Sequence, residues 1–514
     1  MRIAVNIVSS YARFLLGMIA VFCLTPFILQ RIGIEDFGLW SLCLAVTGVL
    51  GVLDLGFSTA AVKYVAECAG NGKHEARNEA LSTLLLVYTL LGGVVLILVL
   101  AAIPAGIHWF GLEAGNAERF RTIVTITGVA QGIALPLSIF RSALVGQGRY
   151  DVVNSFDIGI IVFNIILVIT LLTSGLGLPG LALANASIVL AGPLALVPMA
   201  YKKIPGLALS IKRIRLARLR EAAPLAVWFM LANIALIITL RSDALLIKIY
   251  LPLTAVAAFA IAAKISESSY LLNKQFSNAL MPLISSSRGA GDAATVRAIL
   301  QDGTRYLATV SAPVLGLLFF HAESIIHLWV GPELHAAILP LRILLLAVFF
   351  STLQFNAANV LGMSGGHRGV AWTMVGSATL NIILSVILIP MLGLAGAALA
   401  TLVSALTLEF GVILKRACNH QALKLVSVLR PIIPVLLSLV PMFLTAHWLN
   451  LYWPANSLLA LALQCMVAGV IFLAVACMVV IRSDERRRVF GMIADWNSQR
   501  RLKHVPAPVA ARQD

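Results

Sequence analysis

Arg13, Asp54, Arg241, Asp243, Lys264, Glu267, Arg342 and Glu409 are ionisable side chains set inside long apolar stretches of a 514-residue sequence. A charge in hydrocarbon is costly, so such residues pair with one another, face a water-filled cavity or bind something. Their chemistry is recognition and ion coupling. Cations can hold an anionic group, and carboxylates can take up and release a proton or a metal cation. Lys264 lies near the middle of its stretch, too deep to be explained by snorkelling, and Glu267 shares its helix face at i+3. The two are expected to neutralise each other in part. Arg13 sits about seven residues into the first stretch and Asp54 about seven before the end of the second. At a rise of about 1.5 Å per residue both lie ~11 Å from the same face, close enough in depth to form a bridge or a gate. Arg241 and Asp243, at i,i+2, must turn to different neighbours. Arg342 is near the end of its stretch and can reach an interface. Arg13, Lys264, Arg241 and Arg342 are therefore the candidate binding cations, and Asp54, Asp243, Glu267 and Glu409 the candidate gating or ion-coupling carboxylates.

Bond-breaking chemistry has no comparable residues. The sequence lacks GxSxG, HExxH and a phosphate-cradling GxxxxGK[ST]. Glu35-Asp36 is an acidic pair, but it sits in a short turn at a helix start, where carboxylates favour the positive end of the dipole. His321, His327 and His335, with Glu323 and Glu333, lack a metal-ligand spacing and read as solvated loop residues. The six cysteines at 23, 43, 68, 418, 465 and 477 have no CxxC spacing and fall mostly in apolar stretches, as small buried residues do. Neither a metal nor a cofactor is expected, and the chain reads as a non-enzyme.

The elements that must position these charges are membrane helices. Hydrophobic residues make up 60% of the chain and charged ones 12%. Apolar stretches of about 20 residues, the length needed to cross ~30 Å of hydrocarbon, recur from end to end. Fourteen can be read, from 5–29 and 37–61 through to 428–449 and 456–481. None shows the alternation of a membrane β-strand, so the fold class is an all-α polytopic membrane protein. The net charge of +16 would suit nucleic acid, but its placement argues otherwise. Thirty of 38 Lys and Arg fall on one side of the bundle, four on the other (Arg31, Arg119, Arg121, Lys248) and four within spans. That asymmetry predicts cytoplasmic termini and an even number of spans, with no role in binding nucleic acid.

The spans repeat. Asn164-Ile165-Ile166-Leu167 returns as Asn381-Ile382-Ile383-Leu384, an offset of 217, and Gly177-Leu178-Pro179-Gly180 returns as Gly393-Leu394-Ala395-Gly396 at 216. Two pseudo-symmetric six-helix lobes with two extra C-terminal helices follow from this, the plan of transporters built around a central site. The expected divisions are an N-lobe over 1–217, a C-lobe over 218–427, the extra pair over 428–481 and a basic tail over 482–514. Asn164 and Asn381 read as helix-packing hydrogen bonders. The connection over 201–222 interleaves Ile211, Ile214 and Leu219 with Lys212, Arg213, Arg215 and Arg218, which predicts a helix on an anionic lipid surface. The tail, with Arg486, Arg487 and Arg488 before Phe490 and Trp496, predicts the same.

Ile32-Gly33-Ile34-Glu35-Asp36-Phe37-Gly38-Leu39-Trp40, Leu53-Asp54-Leu55-Gly56-Phe57, Val62-Lys63-Tyr64-Val65 and Ala143 to Tyr150 together resemble the bacterial polysaccharide and O-antigen flippases. Those proteins form a branch of the multidrug/oligosaccharidyl-lipid/polysaccharide exporter superfamily, and the resemblance covers about residues 1–415. It implies a two-lobed bundle alternating between inward and outward openings in the bacterial inner membrane. The implied cargo is a lipid-linked oligosaccharide, usually on undecaprenyl pyrophosphate, for lipopolysaccharide O-antigen or exopolysaccharide. Related flippases line their cavity with cations for the pyrophosphate, which points here to Arg13 and Lys264. A polysaccharide polymerase and a chain-length regulator are the protein partners that the resemblance implies. Three alternatives stand beside it. A drug or cation antiporter of the same superfamily would show a carboxylate-dominated cavity, and a membrane glycosyltransferase or polymerase would need a sizeable outer loop. The third is a non-transporting scaffold for polymer assembly.

Overall fold

The computed structural model describes residues 2–51, 57–70, 73–215 and 217–480. Among them there is no strand, and thirteen helices are long and apolar enough to cross a membrane. The N-terminal half contains α1 (Arg2–Ile32), α2 (Ile34–Leu50), α3 (Phe57–Gly70), α4 (His74–Trp109), α5 (Ala114–Gly146), α6 (Tyr150–Thr173) and α7 (Gly177–Lys203). The C-terminal half begins with α8 (Ala217–Tyr250), α9 (Leu253–Asn278), α10 (Met281–Gly289), α11 (Ala293–Ala298), α12 (Thr304–Phe320) and α13 (Ala322–Val330). It continues with α14 (Ile338–Met363), α15 (His367–Leu392), α16 (Leu394–Ser404), α17 (Leu414–His420), α18 (Leu425–Leu429), α19 (Ile433–Tyr452) and α20 (Leu458–Val479). Helices joined by such short turns run up and down. The bundle thus has a near end, where α1 begins, and a far end, where the turn at Gly33 lies. Leu90, Ile97 and Leu100 on α4 and Leu444, Leu459 and Met466 on the last hairpin stay exposed, as side chains facing lipid do.

The span expected at 37–61 includes residues 52–56, which lie outside the described residues. Helix α2 has 17 residues, about 26 Å, and stops at Leu50, and α3 starts only at Phe57. Thirteen long helices and this shorter one account for the fourteen stretches seen in the sequence.

In the first lobe α5 packs on both α4 and α7, and α6 packs on α7 and α1. Small residues set the closest crossing: a Cβ on Gly92 of α4 would lie 2.5 Å from the Gly132 carbonyl of α5. Backbones approach this closely in membranes because packing, not the hydrophobic effect, holds helices together there. In the second lobe α15 packs on α8 and α16, and α14 on α9, α12 and α16. Ser277 of α9 donates to Asn356 Oδ1 of α14 at 2.6 Å and accepts from Asn359 Nδ2 at 3.0 Å, a polar zipper between the two helices. The extra hairpin α19–α20 lies against α12, where Gly316 meets Met442 and Phe443. The repeated segments are the hairpins α6–α7 and α15–α16, and both turn on a glycine of positive φ, Gly177 (50°) and Gly393 (61°).

The lobes meet along α2, which packs on α8 and α9 as well as on α5. Gly33, at φ 83°, lets the chain reverse between α1 and α2 in a single residue. Four residues into α2, Gly38 sits so close to the Leu253 carbonyl of α9 that a Cβ has no room. The indole of Trp329 on α13 closes the same end, donating to the Phe22 carbonyl of α1 at 2.8 Å.

The connection between lobes departs from the expected surface helix. Among the described residues between Lys203 and Ala217, Ile211–Arg213 makes the helical turn, and Pro205, Gly206, Ser210 and Arg215 are pinned to α4. Arg77 and Asn78 donate to the Pro205 and Gly206 carbonyls, and the Ser210 and Arg215 amides donate to Ser82 and Thr83. Backbone satisfied by α4 side chains has no need of an internal helix. The basic tail over 482–514 lies outside the described residues.

Candidate functional site

Among the described residues, charged side chains gather in polar stations in each lobe and at the seam between them.

The first joins α1, α5 and α6. Arg141 makes a bidentate pair with Asp157, Nη1 to Oδ1 at 2.8 Å and Nη2 to Oδ2 at 2.7 Å, and Arg13 Nη1 adds a bond to Oδ2 at 3.1 Å. Two guanidiniums on one carboxylate leave an excess positive charge. Asp157 is the more enclosed member, whereas both arginines stay partly open. Arg141 lines a cavity of about 640 Å³ between Gly51, α3, α5 and α7, along with Ser58, Gln131 and Ser138. The carboxylate partner of Arg13 is thus Asp157, which sequence reasoning passed over together with Arg141. A partial signal was present, because the two flank the tight Gln147-Gly148-Arg149 turn at similar distances and so lie at similar depth across a hairpin. Asp54, the partner expected from depth, lies outside the described residues.

The second station is Lys264. Side chains in a helix point toward its N-terminus, here the far end, and Lys264 follows that rule. Its Nζ donates to Thr25 Oγ1 of α1 at 3.2 Å and lies 5.4 Å from the ring centroid of Phe37 on α2. Thr25 spends its own proton on the Val21 carbonyl at 2.6 Å, leaving an oxygen lone pair for the ammonium. Lys264 makes no salt bridge with Glu267, although the two still partly neutralise each other along their shared helix face. Glu267 turns instead to Arg241 of α8, 3.9 Å away. The reason is geometric: the lysine stem carries its charge a full turn toward the far end, away from the carboxylate.

The third station is in the second lobe. Asp243 is buried, with Oδ1 3.5 Å from the Ser385 hydroxyl and Oδ2 3.3 Å from the Thr401 hydroxyl. Asn381, the repeated asparagine, donates to Thr401 Oγ1 at 3.0 Å, so its packing bond also orders the surroundings of Asp243. Its counterpart Asn164 has no such partner, and its Oδ1 is buried without a hydrogen bond. Glu409 accepts from Ser351 at 2.8 Å and Ser377 at 3.3 Å. It lies within a nine-residue π-helical stretch, Ala405–Ile413, a departure from α geometry that re-aims side chains and is frequent at functional sites. Asp243, Glu267 and Glu409 line one cavity of about 90 Å³. Hydroxyl oxygens and carboxylates around so small a space suit a proton or a dehydrated cation.

Arg342 joins none of these. Its Nε donates to the Phe319 carbonyl at 3.3 Å, and it lines a separate far-end cavity of about 340 Å³. The loop residues beside it also differ from expectation. His321 is buried, which holds its imidazole below the usual range, and the carboxylate of Glu323 converges with the rings of His327 and His335. The i,i+4 spacing of Glu323 and His327 on α13 was the legible part, and the Gly331 turn that folds His335 back was not. Glu35 and Asp36 are tied to the start of α5, accepting from Asn116 at 3.0 Å and pairing with Arg119 at 2.6 Å. All six cysteines are free.

Comparison with known proteins gives this arrangement a family. Residues 2–288 match the polysaccharide biosynthesis protein family, and residues 224–387 match the MatE family. The chain is 22% identical over 374 residues to the uncharacterized membrane protein EpsK of Bacillus subtilis, covering 69% of this chain and 72% of that one. It is 29% identical over 168 residues to the probable flippase AglR of Haloferax volcanii, a match spanning only 34% of that protein and 32% of this one. Among solved structures, the lipid II flippase MurJ in an inward closed conformation aligns at a TM-score of 0.69 and 15% identity, over 92% of this chain and 98% of that one. An inward-facing multidrug resistance MATE transporter aligns at 0.65 and 14% identity, over 78% of this chain and 99% of that one. At such identities the two structures speak for the fold, a polytopic helical transporter fold. The family match covers more than half of the sequence, and the chain accordingly belongs to the polysaccharide biosynthesis protein family.

Proposed function

We propose that this protein carries a lipid-linked oligosaccharide, with its pyrophosphate, from the cytoplasmic to the outer leaflet of the bacterial inner membrane by alternating access. The observation that carries the reading is Arg141 on the wall of the 640 Å³ cavity, in a triad with one guanidinium in excess. A sugar head and its charged diphosphate cannot cross hydrocarbon unaided, and a polar cavity with a cation on its wall meets that need. The polyprenyl tail stays in lipid throughout. Arg13 holds Asp157 and so positions Arg141. Lys264 and Trp329 fasten the far end while cargo enters at the near end.

The carboxylates of the second lobe supply the drive. Binding of a cation or proton among Asp243, Glu267 and Glu409 would change the charge of the cavity wall and bias one opening over the other. Those same carboxylates favour a second reading, a drug or cation antiporter, because they dominate the lining of their cavity. The basic connection, with Ile211 exposed beside Lys212 and Arg213, suits contact with anionic lipid, which supports a cytoplasmic near end. Delivery of the cargo to a polymerase and a chain-length regulator completes the scheme, for an O-antigen or exopolysaccharide.

The test is reconstitution. Purified protein in liposomes holding a fluorescent undecaprenyl-pyrophosphate oligosaccharide in one leaflet should expose it on the other, and Arg141→Gln should not. Gradient-driven efflux of cationic dyes without movement of the lipid-linked sugar would instead establish the antiporter.

A further inference from the structure

We propose that Glu323, His327 and His335 form a site for a divalent transition metal of the zinc class at the far end of the second lobe. Glu323 and His327 are four residues apart on α13, on one helical face. Gly331, at φ 95°, then reverses the chain into the short Pro332–Ala337 turn, and His335 comes back over the helix. One ligand atom from each of the three lies within 4.8 Å of the others. The two imidazoles stand 5.8 Å apart, centroid to centroid, with 34° between their planes.

Two further observations point to a ligand. His327 Nε2 is buried and has no hydrogen-bond partner, an arrangement that leaves a nitrogen lone pair or N–H unused where water does not reach. Glu323 and His335 are exposed, so an ion has an open path to the site. Two imidazoles and a carboxylate are a donor set for zinc rather than for calcium or magnesium, which take oxygen. Tetrahedral zinc places its ligands roughly 3.3–3.6 Å apart, at bond lengths of about 2.0–2.2 Å. Side-chain movement of about an ångström would therefore close the site, leaving a fourth position for water.

Purified full-length protein, stripped with EDTA and exchanged into metal-free detergent buffer, should take up one Zn²⁺ per chain in calorimetric titration with ZnCl₂. CoCl₂ should give the visible absorption of a four-coordinate cobalt centre at the same stoichiometry. His327→Ala and His335→Ala should each weaken uptake at least tenfold, Glu323→Gln by less, and His447→Ala not at all. Thermal midpoints measured in EDTA separate folding from ligation: the variants should match the parent there and lose only the rise that zinc gives the parent. A parent that binds no stoichiometric zinc overturns the proposal. So does a His327→Ala/His335→Ala protein that keeps parental affinity and the cobalt spectrum.

Discussion

The Lys264 ammonium donates to Thr25 Oγ1 at 3.2 Å, and that bond crosses from the second lobe to the first. It lies in the same far-end seam as the Trp329–Phe22 bond and the contact of Gly38 with Leu253. A buried bond from a charged donor contributes about 1.5–3 kcal/mol, roughly 10- to 150-fold in the balance between closed and open far ends. Lys264→Met keeps the stem and removes the charge, and should shift that balance toward the open state. Thr25→Val should do the same more weakly. Spin labels at positions 31 and 333 would report the change as a longer distance component. Identical distance distributions in parent and Lys264→Met would mean the bond does not fasten the seam.

Gly38 and Gly93 make a matched pair of substitutions. A Cβ at Gly38 collides with the Leu253 carbonyl, a backbone atom that cannot rotate away, whereas one at Gly93 meets nothing. Gly38→Ala is expected to cost about 1–3 kcal/mol. Gly93→Ala should be neutral or gain up to ~1 kcal/mol from helix propensity. Thermal midpoints in detergent would rank the two, and equal midpoints would refute the close approach of α2 to α9.

The Arg13–Asp157–Arg141 triad predicts an order of effects. Asp157→Asn strips both arginines of their anion and should cost about 1–3 kcal/mol. Arg13→Gln leaves the bidentate Arg141 pair in place and, at a partly exposed site, should cost under ~1 kcal/mol. For transport the order differs: Arg141→Gln, in protein that still folds, should lower flux of the lipid-linked sugar at least tenfold. Flux at the parental level in Arg141→Gln would remove this arginine from the cargo site.

Asp243→Asn and Glu409→Gln keep the shape and hydrogen-bonding capacity of the originals while removing the ionisable group. Sugar flux in liposomes should rise severalfold under an imposed sodium or proton gradient in the parent. In either variant the same gradient should have little effect, and basal exchange should persist. Parental gradient dependence in both variants would place coupling elsewhere.

Helix number, the paired hairpins α6–α7 and α15–α16, and the residues able to carry charge were all legible from the sequence. Which charge meets which was not, and the reason lies in the solvent. In a water-soluble helix an apolar stripe reveals the face turned inward. Here lipid and neighbouring helices both ask for apolar side chains, so the period of 3.6 carries little information about rotation. Depth along a helix can be counted from its ends, but azimuth cannot. Arg13 and Asp157 share a depth and also face each other, and only the second fact needed the structure. Lys264 and Glu267 share a helix face, yet the lysine stem points away from that neighbour to Thr25. The convergence of Glu323, His327 and His335 depended on the reversal at Gly331.

The segment between the lobes, fixed to α4 through Arg77, Asn78, Ser82 and Thr83, has a mechanical consequence. A loose connector would let the halves slide, twist or separate in any direction. One stitched to its own half up to Arg215, with α8 starting at Ala217, leaves almost no slack. The rocking proposed for the two lobes would then turn about that corner, much as a door turns on its jamb. The widest part of the near-end mouth should open on the side opposite α4, which sets the direction from which a lipid-borne cargo can approach.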